Sequence, residues 1–143
     1  MIYLLEDYVS FESCKLLKDL GFEQDYDWHP VWWMNGNNPQ LSFEGDDDFP
    51  YCDNVCCGMT QAEALKFLRE RYRLNIEILI AGLVKRPDIP VNWKYRIYDS
   101  ANNIDYSNST VFDTYEEASK AAINHCLKIL KLKEIGENKI WHI

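Results

Sequence analysis

The side chains best suited to chemistry in this sequence are five cysteines and three histidines, which form no recognisable catalytic pattern. A nucleophilic thiol needs a base close to it. His125 and Cys126 are neighbours on a predicted helix, so their side chains diverge by about 100° and cannot pair directly. Cys126 also falls on the apolar side of that helix, where thiols are inert. The pattern therefore gives little support to a cysteine- or histidine-dependent enzyme.

A cysteine cluster, Cys52, Cys56 and Cys57, has the spacing Cys-x3-Cys-Cys. Zinc sites usually combine a Cys-x2-4-Cys pair with a second pair. Here the second half would have to come from isolated residues, namely Cys14, Cys126, His29 and His125. An odd number of cysteines also fits reduced thiols in a cytoplasm. We therefore predict no cofactor and no metal site, and whether the cluster binds metal is left open.

Carboxylates are concentrated between Glu44 and Asp53, a segment that could supply oxygen ligands to Ca²⁺ or Mg²⁺. The spacing does not match the D-x-D-x-D-G calcium loop, because Gly45 precedes the aspartates. The six glycines are scattered, so no glycine-rich phosphate loop is present. A solvated acidic loop is the favoured interpretation.

Charge is distributed unevenly along the chain. Residues 1–59 carry 12 acidic and 2 basic side chains, whereas residues 60–143 carry 11 acidic and 13 basic ones, for a net charge of −8. The basic segment 66–96, interleaved with aromatic residues, resembles a nucleic-acid surface. A sequence pI of about 4.8 does not suit a free-standing nucleic-acid binder, since such binding relies on neutralising phosphates. We favour pairing of the basic segment with the acidic first half, within one chain or across a homodimer.

Aromatic residues supply the candidate partner contacts. In a strand, Trp28 and Trp32 share one face and Trp33 takes the other, which exposes at least one tryptophan unless both faces are covered. Exposed tryptophan is enriched at binding hot spots. The predicted partner-contact residues are therefore Trp28, Trp32, Trp33, Trp93 and Tyr95. The alternative is that these side chains fill a core.

Three capped helices and four strands position these residues. The helices are predicted over residues 10–20, 60–73 and from 114 onwards. Ser10 caps the first helix, and the other two begin with T-x-x-E capping boxes. The helix stripes expected to face the core are Cys14, Leu16, Leu17 and Leu20 in the first, and Tyr115, Ala118, Ala122, Cys126 and Ile129 in the third. The strands are predicted as a hairpin within 26–44, strands at 75–81 and 92–98, and a short strand at 139–143.

The order α-ββ-α-ββ-α predicts an α+β fold, a two-layer sandwich of an antiparallel sheet of about four strands and three helices. A length of 143 residues predicts one domain spanning 1–143. No segment approaches the ~20 apolar residues that cross a bilayer. The start of the chain has no basic region typical of a signal peptide, so we expect a cytoplasmic protein without membrane contact.

At residues 10–22, 60–70 and 114–130 the chain resembles a family of small uncharacterised proteins from gut anaerobic bacteria, their phages and mobile elements. The shared blocks are an S-x-E opening that ends in G-F, a T-Q helix and a T-Y-E-E-A helix. This chain departs from the family pattern at three positions, where Cys14 replaces Ala, Met59 replaces Pro and Phe67 replaces Trp. The resemblance implies helices and caps, and it transfers no functional residue.

The leading expectation is a non-enzymatic phage or mobile-element accessory protein that acts by protein–protein contact, either with a partner or as a homodimer. One alternative is an acidic regulatory protein that mimics DNA phosphates, using residues 44–53 with Asp25 and Asp27. The other is a cysteine- or histidine-dependent enzyme.

Overall fold

A computed structural model describes residues 7–25, 29–43, 56–81, 91–107 and 109–141, with side chains described as far as residue 133. Its elements follow the order α1 (Phe11–Asp19), β1 (Val31–Asn35), β2 (Asn38–Ser42), β3 (Cys56–Cys57), α2 (Gln61–Tyr72), β4 (Leu74–Ile80), β5 (Trp93–Asp99), β6 (Ile104–Asp105) and α3 (Tyr115–Trp141). The predicted α+β class is confirmed. The chain divides into two compact units, Met1–Ala64 and Leu65–Ile143.

Helix α1 opens and closes with the predicted caps. The Ser10 hydroxyl accepts a hydrogen bond from the Ser13 amide at 3.3 Å. At the other end the Gly21 amide donates to the Lys18 carbonyl and the Phe22 amide to the Leu17 carbonyl, the pair of bonds that defines a Schellman motif. Gly21 takes a φ of +103°, which glycine adopts without steric cost.

The first unit contains an antiparallel sheet in the order β2-β1-β3. Strands β1 and β2 form the predicted hairpin, and Gly36 at the turn takes a φ of +66°. Pro39 lies in β2 at the sheet edge, where its missing N–H is tolerated. The inner ends of both strands are buried, with Val31 2% and Leu41 9% exposed.

Helix α2 begins with a complete capping box. The Thr60 amide donates to Glu63 Oε1 at 3.0 Å, and the Glu63 amide donates to Thr60 Oγ1 at 3.2 Å. Ala64 and Leu68 are fully buried on the apolar side of the helix. The boundary between the two compact units falls inside this helix.

The second unit consists of the sheet β4-β5-β6 and helix α3. The register pairs Ile76 with Ile97 and Ile78 with Tyr95. Alternate residues of β5 point toward α3, where Tyr95 meets His125 and Asp99 meets Lys133. One face of the sheet therefore packs on α3.

Several predicted details differ from the structure. The four main strands form two three-stranded sheets instead of one. The two-residue strand β3 extends the pair β1–β2, and the two-residue strand β6 extends the pair β4–β5. Residues 139–141 continue α3 instead of forming a strand, since the helix runs through Gly136 to Trp141. Leu16 and Tyr115 are 38% and 43% exposed, because the buried arc of each helix is narrower than its apolar stripe.

Two predicted segments lie partly outside the described residues. They are residues 44–55 of the acidic segment 44–59 and residues 26–28 at the start of the predicted hairpin. Among the residues that are described, no helix combines the length and apolar character that crossing a membrane requires.

Candidate functional site

The five predicted contact residues occupy different environments. Trp32 is 7% exposed, with its indole N–H donating to the Val9 carbonyl, and Tyr95 is 4% exposed. These two side chains offer a partner almost no surface. Trp33 and Trp93 are half-buried, the latter stacked edge-on against Tyr115. Trp28 lies outside the described residues, so contact through Trp28, Trp33 and Trp93 stays a prediction.

The described thiols are shielded from solvent. Burial raises the pKa of Cys14 and Cys126 to about 12, and that of Cys56 and Cys57 to about 11. At neutral pH these thiols are therefore protonated, which leaves little of the thiolate that acts as a nucleophile.

The structure also bears on the metal and acidic-loop predictions. Within the described parts of the chain, no group of three His, Cys, Asp or Glu side chains is arranged to hold a metal ion. Cys52 and the carboxylates of residues 44–53 lie outside those parts, as does Asp27. Both the metal question and the phosphate-mimic alternative rest largely on those residues.

His29 takes part in a polar cluster that anchors α2. Its Nε2 lies 2.6 Å from Glu63 Oε2, and its Nδ1 lies 2.9 Å from the Asp25 carbonyl oxygen. Both partners are acceptors, so the geometry is fully satisfied when both ring nitrogens carry a proton. Burial disfavours the charged ring, but the hydrogen bonds to Glu63 and Asp25 outweigh it and raise the pKa of His29 above 6.5.

In this geometry neither ring nitrogen of His29 is available to act as a general base. A general base needs a free nitrogen within reach of a substrate proton. Both nitrogens of His29 are occupied, and the other oxygen of Glu63 accepts from Thr60. The cluster is suited to holding the start of α2 in place.

His125 lies on a groove in the second unit. The groove measures about 480 Å³ and is lined by Tyr95, Phe112, Ala121, Asn124, His125 and Lys128. The Tyr95 hydroxyl is 2.9 Å from His125 Nδ1, and the Tyr106 ring contacts the imidazole edge-on. Burial and the nearby Lys128 ammonium lower the pKa of His125, so the ring is neutral at pH 7. The described lining residues supply a base but no thiol, carboxylate or aliphatic hydroxyl that it could activate.

The sheet of the second unit has a face that α3 does not cover, which we term the open face. It consists of the outward residues of β4 and β5, which are Asn75, Glu77, Leu79, Lys94, Arg96 and Tyr98. A shallow depression of about 450 Å³ lies between four of them, and Arg96 donates to Asp105 at 3.0 and 3.1 Å. Leu79 and Tyr98 are 36% and 38% exposed. Apolar, aromatic, cationic and anionic side chains thus share one exposed surface.

The same sheet has an unpaired edge. The edge strand is β4. At its two ends the Ala81 amide donates to the Asn92 carbonyl and the Ser100 amide donates to the Arg73 carbonyl. The odd-numbered residues of β4 therefore form the hydrogen bonds to β5. The amides and carbonyls of Ile76, Ile78 and Ile80 therefore point away from β5. In the described residues β4 pairs with β5 and with no other strand. We term these backbone groups the free edge.

Sequence reasoning located β4 and β5 but missed both surfaces. The alternation of Trp93–Tyr98 separates the two faces of the strand, and a prediction that α3 covers one face would have identified the other. The free edge has no local signal, because it depends on which strands pair. Comparison of the chain with models of protein families, with curated proteins and with solved structures finds no match.

Proposed function

We propose that this protein is a non-enzymatic accessory protein of a phage or mobile element, and that it acts by protein–protein contact through the open face. The observation that carries the proposal is that α3 covers one side of β4-β5-β6 and leaves the other exposed in every outward position from Glu77 to Leu79 and at Lys94, Arg96 and Tyr98. The resemblance of the three helices to phage and mobile-element proteins supports the setting.

The chemistry of the open face suits a protein partner. Tyr98 and Arg96 belong to the residue types enriched in binding hot spots. Leu79 adds exposed apolar surface. Lys94, its cross-strand neighbour on β5, adds a positive charge. The Arg96–Asp105 pair holds the guanidinium in a fixed position. A partner with acidic and apolar side chains would complement this surface.

The polar clusters elsewhere support a contact role over a chemical one. The described thiols are protonated and buried, His29 has both nitrogens occupied, and His125 faces a groove without a nucleophile. The two rings contact Glu63 and Tyr95, and the thiols are buried. The open face, by contrast, is exposed.

The test is affinity capture with the immobilised protein, comparing wild type with two variants of equal charge change. Lys94→Glu reverses a charge on the open face, whereas Lys131→Glu reverses an exposed charge on α3. We expect one or more proteins to be retained by wild type and by Lys131→Glu, and to be reduced at least about tenfold by Lys94→Glu, since a wrong-sign charge in an interface costs several kcal/mol. Equal retention by all three proteins would contradict the proposal.

A further inference from the structure

We infer that the free edge of β4 is a homodimer interface, at which two copies of this chain pair antiparallel through β4 to form a continuous six-stranded sheet. The inference deepens the proposed contact function by naming a second copy as one partner. It uses a different surface, since the free edge lies in the plane of the sheet and the open face lies above it.

The first step of the argument is the chemistry of the free edge. Amides and carbonyls alternate along Ile76, Ile78 and Ile80 at the spacing of a β-ladder, and only an extended strand matches that spacing along its length. Protein edges are normally protected by proline, bulges, inward-pointing charges or short length. Strand β4 is seven residues long, with the sequence LNIEILI, and the described strand contains no proline, no bulge and no inward-pointing charge.

The second step concerns the side chains beside this edge. Residues 76, 78 and 80 point to the same side of the sheet as Tyr95 and Ile97, which are 4% and 0% exposed. Helix α3 packs more closely on β5 than on β4. Ile76 and Ile78 therefore remain half-buried and Ile80 is 51% exposed. An apolar ledge thus runs along the edge of β4 that pairs with no other strand in the described part of the chain.

The third step identifies the occupant as a second copy. A two-fold axis brings the same surface patch onto itself, and this patch is already an extended strand, so no segment has to become ordered on binding. The ledge of one copy meets the ledge of the other on the same side of the joined sheet. A disordered peptide would offer the same backbone groups only after losing its conformational freedom.

The register follows from burial and charge. Leu74 is 1% exposed and unavailable, so pairing must use Ile76, Ile78 and Ile80. A two-fold axis at Ile78 pairs Ile78 with its own copy and Ile76 with Ile80 of the second copy. It also sets Glu77 opposite Leu79 of the second copy. Lys94 of that copy is the cross-strand neighbour of its Leu79, so it lies in the same row of side chains as Glu77. An axis at Glu77 would oppose two carboxylates, which destabilises a cross-strand pair.

The test combines sedimentation velocity with two lysine variants on neighbouring residues. Ile80→Lys places a charge on the apolar ledge, and we expect it to weaken the dimer at least about tenfold. Leu79→Lys adds the same charge on the opposite face, beside Glu77 of the second copy, and we expect it to preserve the dimer. Circular dichroism checks that both variants are folded.

Hydrogen exchange identifies the surface used. We expect a species of twice 16.9 kDa, and amide protection at Ile76, Ile78 and Ile80 that rises with protein concentration. A monomer at all concentrations, or a dimer unaffected by Ile80→Lys, would overturn the inference. Protection of these amides that is independent of concentration would also overturn it, because another part of the same chain would then cover the free edge.

The two proposals fail separately. Loss of the dimer in Ile80→Lys, with equal capture by wild type and Lys94→Glu, would support the interface without supporting the open face. A monomeric wild type whose capture is lost in Lys94→Glu would support the open face alone.

Discussion

Individual polar residues in this protein mainly secure the ends of helices and strands. Glu63 accepts from Thr60 with one oxygen and contacts the His29 ring with the other. Arg73 occupies the turn between α2 and β4 with a φ of +59°. The partners of His29 and Arg73 thus set the protonation of the first and the backbone conformation of the second. Substitutions at these contacts should therefore change the free energy of unfolding.

The His29–Glu63 contact makes stability depend on pH. The pKa of His29 is raised in the folded protein, so the contact contributes fully below the unfolded value of 6.5 and is lost as the pH rises through the folded value. Because Glu63 is 38% exposed, solvent screening limits the contribution to about 0.5–1 kcal/mol.

Urea unfolding measured across this pH range tests the prediction with the variant Glu63→Gln. Glutamine preserves the capping box but removes the carboxylate charge. We expect the free energy of unfolding of this variant to lack the wild-type decrease above pH 6.5. The same decrease in both proteins would show that another group is responsible.

The left-handed conformation of Arg73 predicts a stabilising substitution. Its carbonyl accepts hydrogen bonds from the Ser100 amide and hydroxyl and from the Asn75 side chain, which hold the conformation. A residue with a Cβ pays about 1–2 kcal/mol there, and glycine recovers part of that after its greater unfolded-state entropy. We expect Arg73→Gly to raise the free energy of unfolding by about 0.5–1 kcal/mol, measured by urea unfolding. Arg73→Lys should leave it unchanged, and a less stable glycine variant would contradict the explanation.

Secondary-structure elements in the second unit are joined by an ion pair between a buried carboxylate and a partly exposed lysine. The Asp99 carboxylate is 1% exposed and accepts from Lys133 Nζ at 2.9 Å, from the amides of Ala101 and Asn102, and from the Asn102 side chain. One carboxylate thus closes the β5–β6 turn and fixes α3 against the sheet.

Removing the two partners should have unequal effects. Lys133→Met leaves three N–H donors on the carboxylate, so we expect a loss of about 1–2 kcal/mol. Asp99→Ala leaves the turn amides without an acceptor and should cost about 3 kcal/mol or more. Lys131→Met, on the exposed side of α3, is the control and should change stability by less than about 0.5 kcal/mol. Equal losses for Lys131→Met and Lys133→Met in urea unfolding would contradict the role of the pair.

The helices were more predictable than the sheets for a local reason. Ser10, Thr60 and Thr114 each bond to a residue three positions on, so a short window of sequence contains the whole signal. Strands β3 and β6 have two residues each, too few for a periodicity. Whether β1 and β5 join one sheet or two depends on pairing between distant residues, which no local window contains.

The candidate site was less predictable than the fold. The alternation that separated Trp32 from Trp33 was correct, yet it does not say which face meets the core. Trp32 is buried in the structure, whereas Leu79 and Lys94 are exposed and were not predicted as contact residues. Exposure is a property of what covers a strand, and that depends on α3.

At the scale of the whole molecule, charge and architecture divide the chain at nearly the same point. The unit Met1–Ala64 carries 13 acidic and 2 basic side chains, a formal charge of −11, whereas Leu65–Ile143 carries 10 acidic and 13 basic ones, or +3. Pairing between the basic segment and the acidic half stays a prediction. Among the described residues of the basic segment, the ion pair observed is Arg96 with Asp105.

The single-domain prediction can be tested by unfolding. Helix α2 is continuous across the unit boundary, so fraying in one unit removes hydrogen bonds from the other. We expect one cooperative transition with coincident curves from tryptophan fluorescence and circular dichroism. Leu17 is fully buried in the first unit. Leu17→Ala should therefore lower the free energy of unfolding obtained from both curves by about 2–5 kcal/mol. Two separated transitions would show that the units fold independently.

The buried thiols have a practical consequence. Cys14, Cys56, Cys57 and Cys126 sit on both sides of the unit boundary, and an alkylating reagent such as a maleimide reaches them only when the surrounding packing opens. Mass spectrometry of the labelled peptides would therefore time the opening of each half separately. The native molecule thus contains its own set of reporters, with no engineered label required.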